Sequence, residues 1–592
     1  MAIRSGPCHV ATITKVVGGK TYQTHLLRRT YREGGKVKHQ TLSNLSYLPP
    51  HVIELIKGAL KGQAFVPADQ ALEVVRSLPH GHVAAVLGTL RQLGLESLIH
   101  SRRCWQRDVV TAMVVSRLIH PDSKLATARG LRQETSISTL GEVLGLGVVD
   151  EDKLYEAMDW LVRRQGRIEE KLAGRHLEEG SLVLYDVTSS YYTGRRCSLA
   201  KHGHNRDRKK GFPQIVFGLI CNKAGCPVSV EVFEGDVADP NTLSHQIEKV
   251  RGRFGLRRVI MVGDRGLITE ARIREEMSGV EGLDWITALR SADIAALAEE
   301  GAIQLSLFDE TGLVEVSSSR YPGERLIACR NPLLAEERRR KREELLRATE
   351  KELDKIVAAT QRGKRGLKGK DKIGLRVGKV INRFKMAKHF KIEIDEKGFR
   401  YEREGEKIAR EARLDGIYVI RTSVSEEELS AQETVGAYKS LAVVERAFRS
   451  LKMIDLKVRP IRHWQERRVR GHVFLCMLAY YVEWHMRAAL RPLLFDDDDS
   501  EAREGQRESV VSPAKPSPKA RRKAQRKRID DGYPVHSFQT LLKDLATIAK
   551  NQIRPRMVDS GPCGDGSCFD VLTTPTPLQH RALDLLGVAL KT

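Results

Sequence analysis

Apolar and polar positions alternate along residues 9–48, with glycine pairs at Gly18-Gly19 and Gly34-Gly35 between the runs. A period of two broken by turn signals predicts a small β-rich unit over 1–48, with Lys and Arg on its exposed face. From 49 to 180 the spacing changes to three and four, as in VIELIKGAL and DVVTAMVVSRLIH. That period predicts a helical region, and several short helices in a basic chain suit DNA binding. The pattern changes again at SLVLYDVTSSYYTG, residues 181–194. Leu182 to Tyr185 with Val187 form an apolar run rich in β-formers, the pattern of a strand buried on both faces. Strands are expected at 213–221 and 227–233, a helix at about 239–254, a strand at 259–262, a helix from about 269 and a strand at 284–289. The order β, ββ, α, β, α, β over 181–290 predicts an α/β core of mixed strand direction.

Residues 291–435 break that order. A charged helix at 334–362, with pairs such as Glu336 and Arg340 four apart, is followed by a Gly/Lys loop at 363–369 and a second basic helix at 372–388. A helical hairpin is expected there, then strands over 391–422. From 436 one helix should carry an apolar stripe, Leu441, Val444, Phe448 and Leu451, beside a polar stripe, Tyr438, Glu445, Arg449 and Lys452. A core-like helix follows, up to about 490. Residues 491–531 read as a disordered charged linker, and 532–592 as a C-terminal helical segment.

Charge adds a partner to this picture. The 592 residues include 100 Lys and Arg against 76 Asp and Glu, a net charge of +24. That excess implies a polyanion, most simply nucleic acid; about a dozen of the bases fall in 362–391 with a single acid. An anionic membrane surface is the rival, but the longest apolar run, 472–481, is too short to span a bilayer. The first residues lack the apolar segment of a secretion signal. A cytoplasmic protein is expected, on the nucleoid when bound to DNA, with no membrane partner. Nine cysteines argue against a disulfide framework. Cys221 with Cys226 and Cys563 with Cys568 share a spacing that could hold zinc. Ordinary reduced cysteines are the preferred reading, because nothing in the sequence brings the pairs together.

Asp186 interrupts the first core strand, and Asp264 follows the strand in VIMVGDRGL. A carboxylate at the end of a buried strand is costly without a positive partner, and open α/β sheets place their sites at such ends. Two such acids with Glu445 on a helix make an oxygen donor set suited to Mg²⁺. Two ions held there can activate water or a 3′-hydroxyl and stabilise the leaving oxygen of a phosphodiester. Arg449 and Lys452 would meet the phosphate backbone, and Tyr438 could hydrogen-bond a phosphate. Taken singly, Asp186 also suits a solvated turn, and the polar stripe an exposed salt-bridged face.

Together, LYDVTSSYYTG, GFPQIVFGL, VFEGDVADPNTL, VGDRGL and YKSLAVVERAFRSLKMIDLKVRPIRHW resemble the DDE transposases of bacterial insertion sequences, in the IS4-like group and its IS1634-type branch. The resemblance covers about 181–290 and 415–485, and more loosely the N-terminal part. It implies an RNase H-like mixed sheet core, 181–290 and 436–490, with a large α+β insertion at 291–435. It implies that Asp186, Asp264 and Glu445 are the catalytic triad and bind two Mg²⁺ (or Mn²⁺). It further implies cleavage at the ends of the element, attack of the freed 3′-hydroxyl on double-stranded target DNA, and a homodimer that handles both ends. Tyr438, Glu445 and Lys452 fall at the spacing of that group's Tyr-Arg-Glu-Lys signature, while Leu441 holds the Arg position. Arg446 or Arg449 would replace it, and Arg459 and Arg462 are further expected DNA contacts. Gly266 departs from the group's Asp-Arg-Glu-x-Asp stretch after Asp264 and Arg265, so the sequence does not support a hairpin intermediate. Two other readings stay open: a noncatalytic DNA-binding regulator, and an RNase H-like nuclease that cuts without joining.

Overall fold

The computed structural model describes residues 6–63, 72–308, 312–363, 366–396, 398–499, 509–511, 515–555 and 568–590. It divides into two units, Met1–Leu78 with Ala549–Thr574, and Pro79–Ile548 with Pro575–Lys591. The first unit opens with an antiparallel meander, β1 (Cys8–Val17), β2 (Lys20–Glu33) and β3 (Lys36–Asn44). Its two turns are the glycine pairs, all four glycines at positive φ, the backbone that tight hairpin turns demand. After a helix, Pro50–Leu60, comes a strand, β4 (Leu72–Pro79), in the region expected to be helical.

The second unit is built on an eight-stranded mixed sheet. β5 (Ser181–Tyr191), β6 (Gln214–Asn222) and β7 (Pro227–Glu234) pair antiparallel in sequence. β8 (Val259–Val262) and β9 (Leu283–Ala288) run parallel to β5 on its other side. β10 (Leu313–Val316) and β11 (Arg325–Arg330) extend the sheet. β12 (Phe390–Ile394) and β13 (Phe399–Arg403) form a separate hairpin, and β14 (Ile417–Thr422) returns between β11 and β9. The sheet order is β10-β11-β14-β9-β8-β5-β6-β7. The insertion therefore contributes three strands to the main sheet.

Helices α1 (Trp105–Ile119), α2 (Glu151–Val162) and α3 (Gln165–His176) precede the sheet. In the insertion, α4 (Pro332–Gln361) and α5 (Lys370–Phe384) pack through Leu353, Ile356, Ile373, Val377 and Ile381, with Phe399 of β13 in the same cluster. Asn331 caps α4 by accepting from the Leu333 and Leu334 amides, and Pro332 supplies a preset first turn. The expected single helix after 436 is two, α6 (Ala431–Lys439) and α7 (Leu441–Arg449), broken at Ser440; a wide turn, Ser450–Ile454, follows. Next comes α8 (Glu466–Leu490), apolar on most sides and buried along most of its length, as a helix enclosed by other elements must be. It packs on α1, α2 and β7. Residues 81–176 thus share one hydrophobic core with the sheet, and the boundary expected near 180 is not a packing boundary.

The expected disordered linker is also partly ordered. Residues 500–508 and 512–514 lie outside the described residues, but α9 (Pro518–Arg526) forms with Ser517 as its cap. Lys523 is buried and donates to the carbonyls of Arg491, Leu494 and Asp496 at 3.2, 3.1 and 2.9 Å. Asp498 pairs with Lys519 at 2.7 Å and with Lys523 at 3.0 Å. The acidic run DDDD neutralises the basic run, which composition alone does not reveal. Two of the C-terminal elements are strands, β15 (Ala549–Pro555) and β16 (Phe569–Leu572), which complete a sheet with β4. Cys563 and much of the intervening loop fall outside the described residues.

Candidate active site

The parallel register of β5 and β8 sets the first half of the site. Leu184 is paired with Val262, and Asp186 and Asp264 each stand two residues further on. Neighbouring strands are about 4.8 Å apart, and a step of two returns a side chain to the same face. Asp186 lies within β5, which runs on to Tyr191, and not at its end as expected; Asp264 lies two residues past β8, so the two aspartates flank the point where the parallel pairing stops. Asp264 is exposed and shapes its own loop: its Oδ1 accepts from the Gly266 amide at 3.0 Å and the Leu267 amide at 2.8 Å.

Helix α7 supplies the second half. Val444, Ala447 and Phe448 are buried, and the Phe448 ring meets Phe217 of β6 edge to face at 5.8 Å. With that stripe held down, Glu445 and Arg449 turn outward. Asp186, Asp264 and Glu445 line one cleft of about 690 Å³, together with Arg449, Lys452 and Arg459. Burial raises the Asp186 carboxyl to about 7, and the charges of Asp264 and Glu445 push it the same way, against the Val187 amide and Arg206. Three carboxylates facing one cleft, one of them kept from ionising by burial and by the charges of the other two, are the donor set of a hard divalent ion. The side chains present thus fit such an ion.

The polar residues expected beside the triad divide three ways. Arg449, Lys452 and Arg459 line the cleft. Tyr438 is half-buried; burial raises its hydroxyl to about 12, helped by the charges of Asp264, Glu445 and Asp186. Arg446 and Arg462 lie outside the cleft lining. The charge of Arg446 reaches Tyr480 of α8, and Arg462 donates to Thr193 Oγ1 at 3.2 Å.

Two further acids, which the sequence pattern does not mark as part of the site, line the cleft. Asp207 has a side chain only 2% exposed and binds Lys452 at 2.8 Å and Arg459 at 2.6 Å. Its Oδ2 accepts from the Tyr191 amide at 3.2 Å. Burial alone would raise this carboxyl, but Lys452 and Arg459 hold it below the usual range. Lys452 also donates to Thr188 Oγ1 at 2.9 Å. Two of the expected DNA contacts are therefore ion-paired within the protein. Asp239, the other acid, pairs with Arg206 at the cleft wall. Asp207 is the only acid in KHGHNRDRKK, which was its one visible signal.

Two family models match this chain. The transposase DDE domain family matches residues 178–482, just over half of the chain. The N-terminal domain of IS1634 family transposases matches residues 10–70. No curated protein is significantly similar to this chain. Among solved structures, one similar chain is a piggyBac transposase, seen by cryo-EM in a synaptic complex with hairpin DNA. It has 8% identity and a TM-score of 0.33, and the match covers 79% of this chain and 76% of that one. With the DDE domain matched across the whole sheet and the IS1634 domain ahead of it, this chain belongs to the DDE transposases of the IS1634 family.

Proposed function

We propose that this transposase binds the terminal inverted repeats of its own insertion sequence and carries out DNA transposition, a form of DNA recombination, with Asp186, Asp264 and Glu445 as its metal ligands. The observation that carries the assignment is the single cleft in which two register-matched aspartates meet a glutamate from α7. Two Mg²⁺ or Mn²⁺ ions, when bound, would activate the attacking oxygen and stabilise the leaving one. The chain's own residues orient the DNA. Arg449, exposed and one helical turn from Glu445, meets a backbone phosphate. Asp207 holds Lys452 and Arg459 at the wall, so that their charge is fixed before DNA arrives. The order β7-β6-β5-β8-β9, with β8 and β9 parallel to β5, supports an RNase H-like core to which β14, β11 and β10 are added. The basic faces of the meander and of α5 would hold the repeat, and two copies of the chain would pair the two ends.

Incubation of the protein with Mg²⁺, DNA carrying the element ends and a target plasmid tests this reading. Joined product is expected. Cleavage without joining would establish the nuclease instead, and binding without either product the regulator.

A further inference from the structure

A second cluster of metal-ligating side chains lies in the same unit, away from the carboxylate cleft. His176 ends α3, Cys226 precedes β7 and His485 lies on α8. One ligand atom from each falls within 4.8 Å of the others, and Cys226 Sγ is 4.0 Å from His485 Nε2. Nitrogen and sulfur ligands at about 2.0–2.3 Å from zinc stand roughly 3.3–3.8 Å from one another. The observed spacing needs only a small contraction. The surroundings hold the rings in place: the Tyr481 hydroxyl is 3.0 Å from His176 Nε2, and the Tyr481 ring packs edge-on against His485 at 4.7 Å.

We infer that His176, Cys226 and His485 form a structural zinc site that pins the β6–β7 turn to α3 and α8. Two imidazoles and a thiolate make a donor set of the borderline-soft kind zinc selects, in contrast to the all-oxygen set of the catalytic cleft. On binding, the Cys226 thiol gives its proton to solvent and ligates as thiolate. His176 also lines a cavity of about 770 Å³ with Asn222, Lys223 and Ala224, which gives the ion an entry path and leaves a water as fourth ligand. The turn matters to the catalytic helix. Gly225 packs so closely on α7 that a Cβ there would come within 2.8 Å of Val443 Cγ2, two residues from Glu445. Cys221, the partner suggested by sequence spacing, belongs instead to the buried strand β6.

The test uses the full-length chain, stripped with chelator and titrated with Zn²⁺ or Co²⁺ alone in excess Mg²⁺. About one zinc per chain should survive gel filtration, and Co²⁺ should give the near-ultraviolet absorption of a thiolate–cobalt bond. Cys226→Ser should abolish that absorption and weaken zinc binding at least tenfold. His176→Gln, at the more accessible ligand, should weaken zinc binding similarly while leaving the circular dichroism unchanged, and decides the matter if Cys226→Ser does not fold. Absence of stoichiometric zinc would overturn the inference. So would a folded Cys226→Ser or His176→Gln chain that binds zinc as the parent does.

Discussion

Asp186 bears a charge that its protein neighbours make worse. Burial and two nearby carboxylates oppose its ionisation, so the metal-free fold carries a cost there. Asp186→Asn should stabilise the metal-free protein by about 1–2 kcal/mol, read as a raised urea midpoint, while abolishing activity. Asp207 is the opposite case, since its charge is fully used. Asp207→Asn would leave Lys452 and Arg459 facing each other without their anion, at a cost of about 3–5 kcal/mol. Mg²⁺ affinity at the triad should change far less than the urea midpoint. The two residues also show what a sequence discloses. An acid that interrupts an apolar strand stands out, because burial makes the exception visible. An acid in a polar loop does not, because its burial depends on how the loop folds back. Ser189 Oγ donates to the His204 carbonyl and accepts from the Arg206 amide, and so clamps that loop on β5.

At the scale of elements, α7 stands on a buried polar cluster. Ser450 Oγ lies 3.1 Å from Asp455 and 2.8 Å from Glu483, and Arg487 pairs with Asp455 at 2.8 Å and Glu483 at 2.6 Å. Burial and the Asp455 charge raise the Glu483 carboxyl to about 8 against the pull of Arg487. The folded state then holds this proton more tightly than the unfolded chain does. Stability from this group is present below the unfolded value near 4.5 and is lost as pH rises toward 8. Thermal unfolding between pH 5 and 8 should show that decline, and Glu483→Gln should flatten it. Most elements with a strong period were legible: the core strands, α4, α5 and α8 all fall within a few residues of expectation. The misses share one cause. β4 pairs with β15, roughly 480 residues away in sequence, and α9 is stabilised by an acidic run upstream. No local pattern encodes such partners.

At the scale of the whole molecule, the charge of +24 is the broadest signal of a DNA partner, and its placement is more informative than its sum. Lys372, Arg376 and Lys379 repeat along one exposed face of α5 and form no ion pair among the described residues. Replacing all three with Gln should lower the slope of log affinity against log salt by about 2.7, from 0.9 per phosphate contact. A filter-binding series between low and moderate salt would show it. No helix among the described residues is long and apolar enough to cross a membrane. The candidate site was legible in kind, because an acid that interrupts an apolar strand, an acid just past another strand and a helix-borne glutamate suggest metal chemistry, but not in its geometry. Glu445 reaches the aspartates across an insertion that itself adds β10, β11 and β14 to the main sheet. The most direct measurement is Mg²⁺-dependent cleavage of an element end by the parent chain and by Asp186→Asn, Asp264→Asn and Glu445→Gln. Each variant should lose at least about 100-fold in cleavage rate while binding the same DNA as tightly; a folded variant that cuts at the parent rate would contradict the assignment of that carboxylate and, with it, the shared metal site.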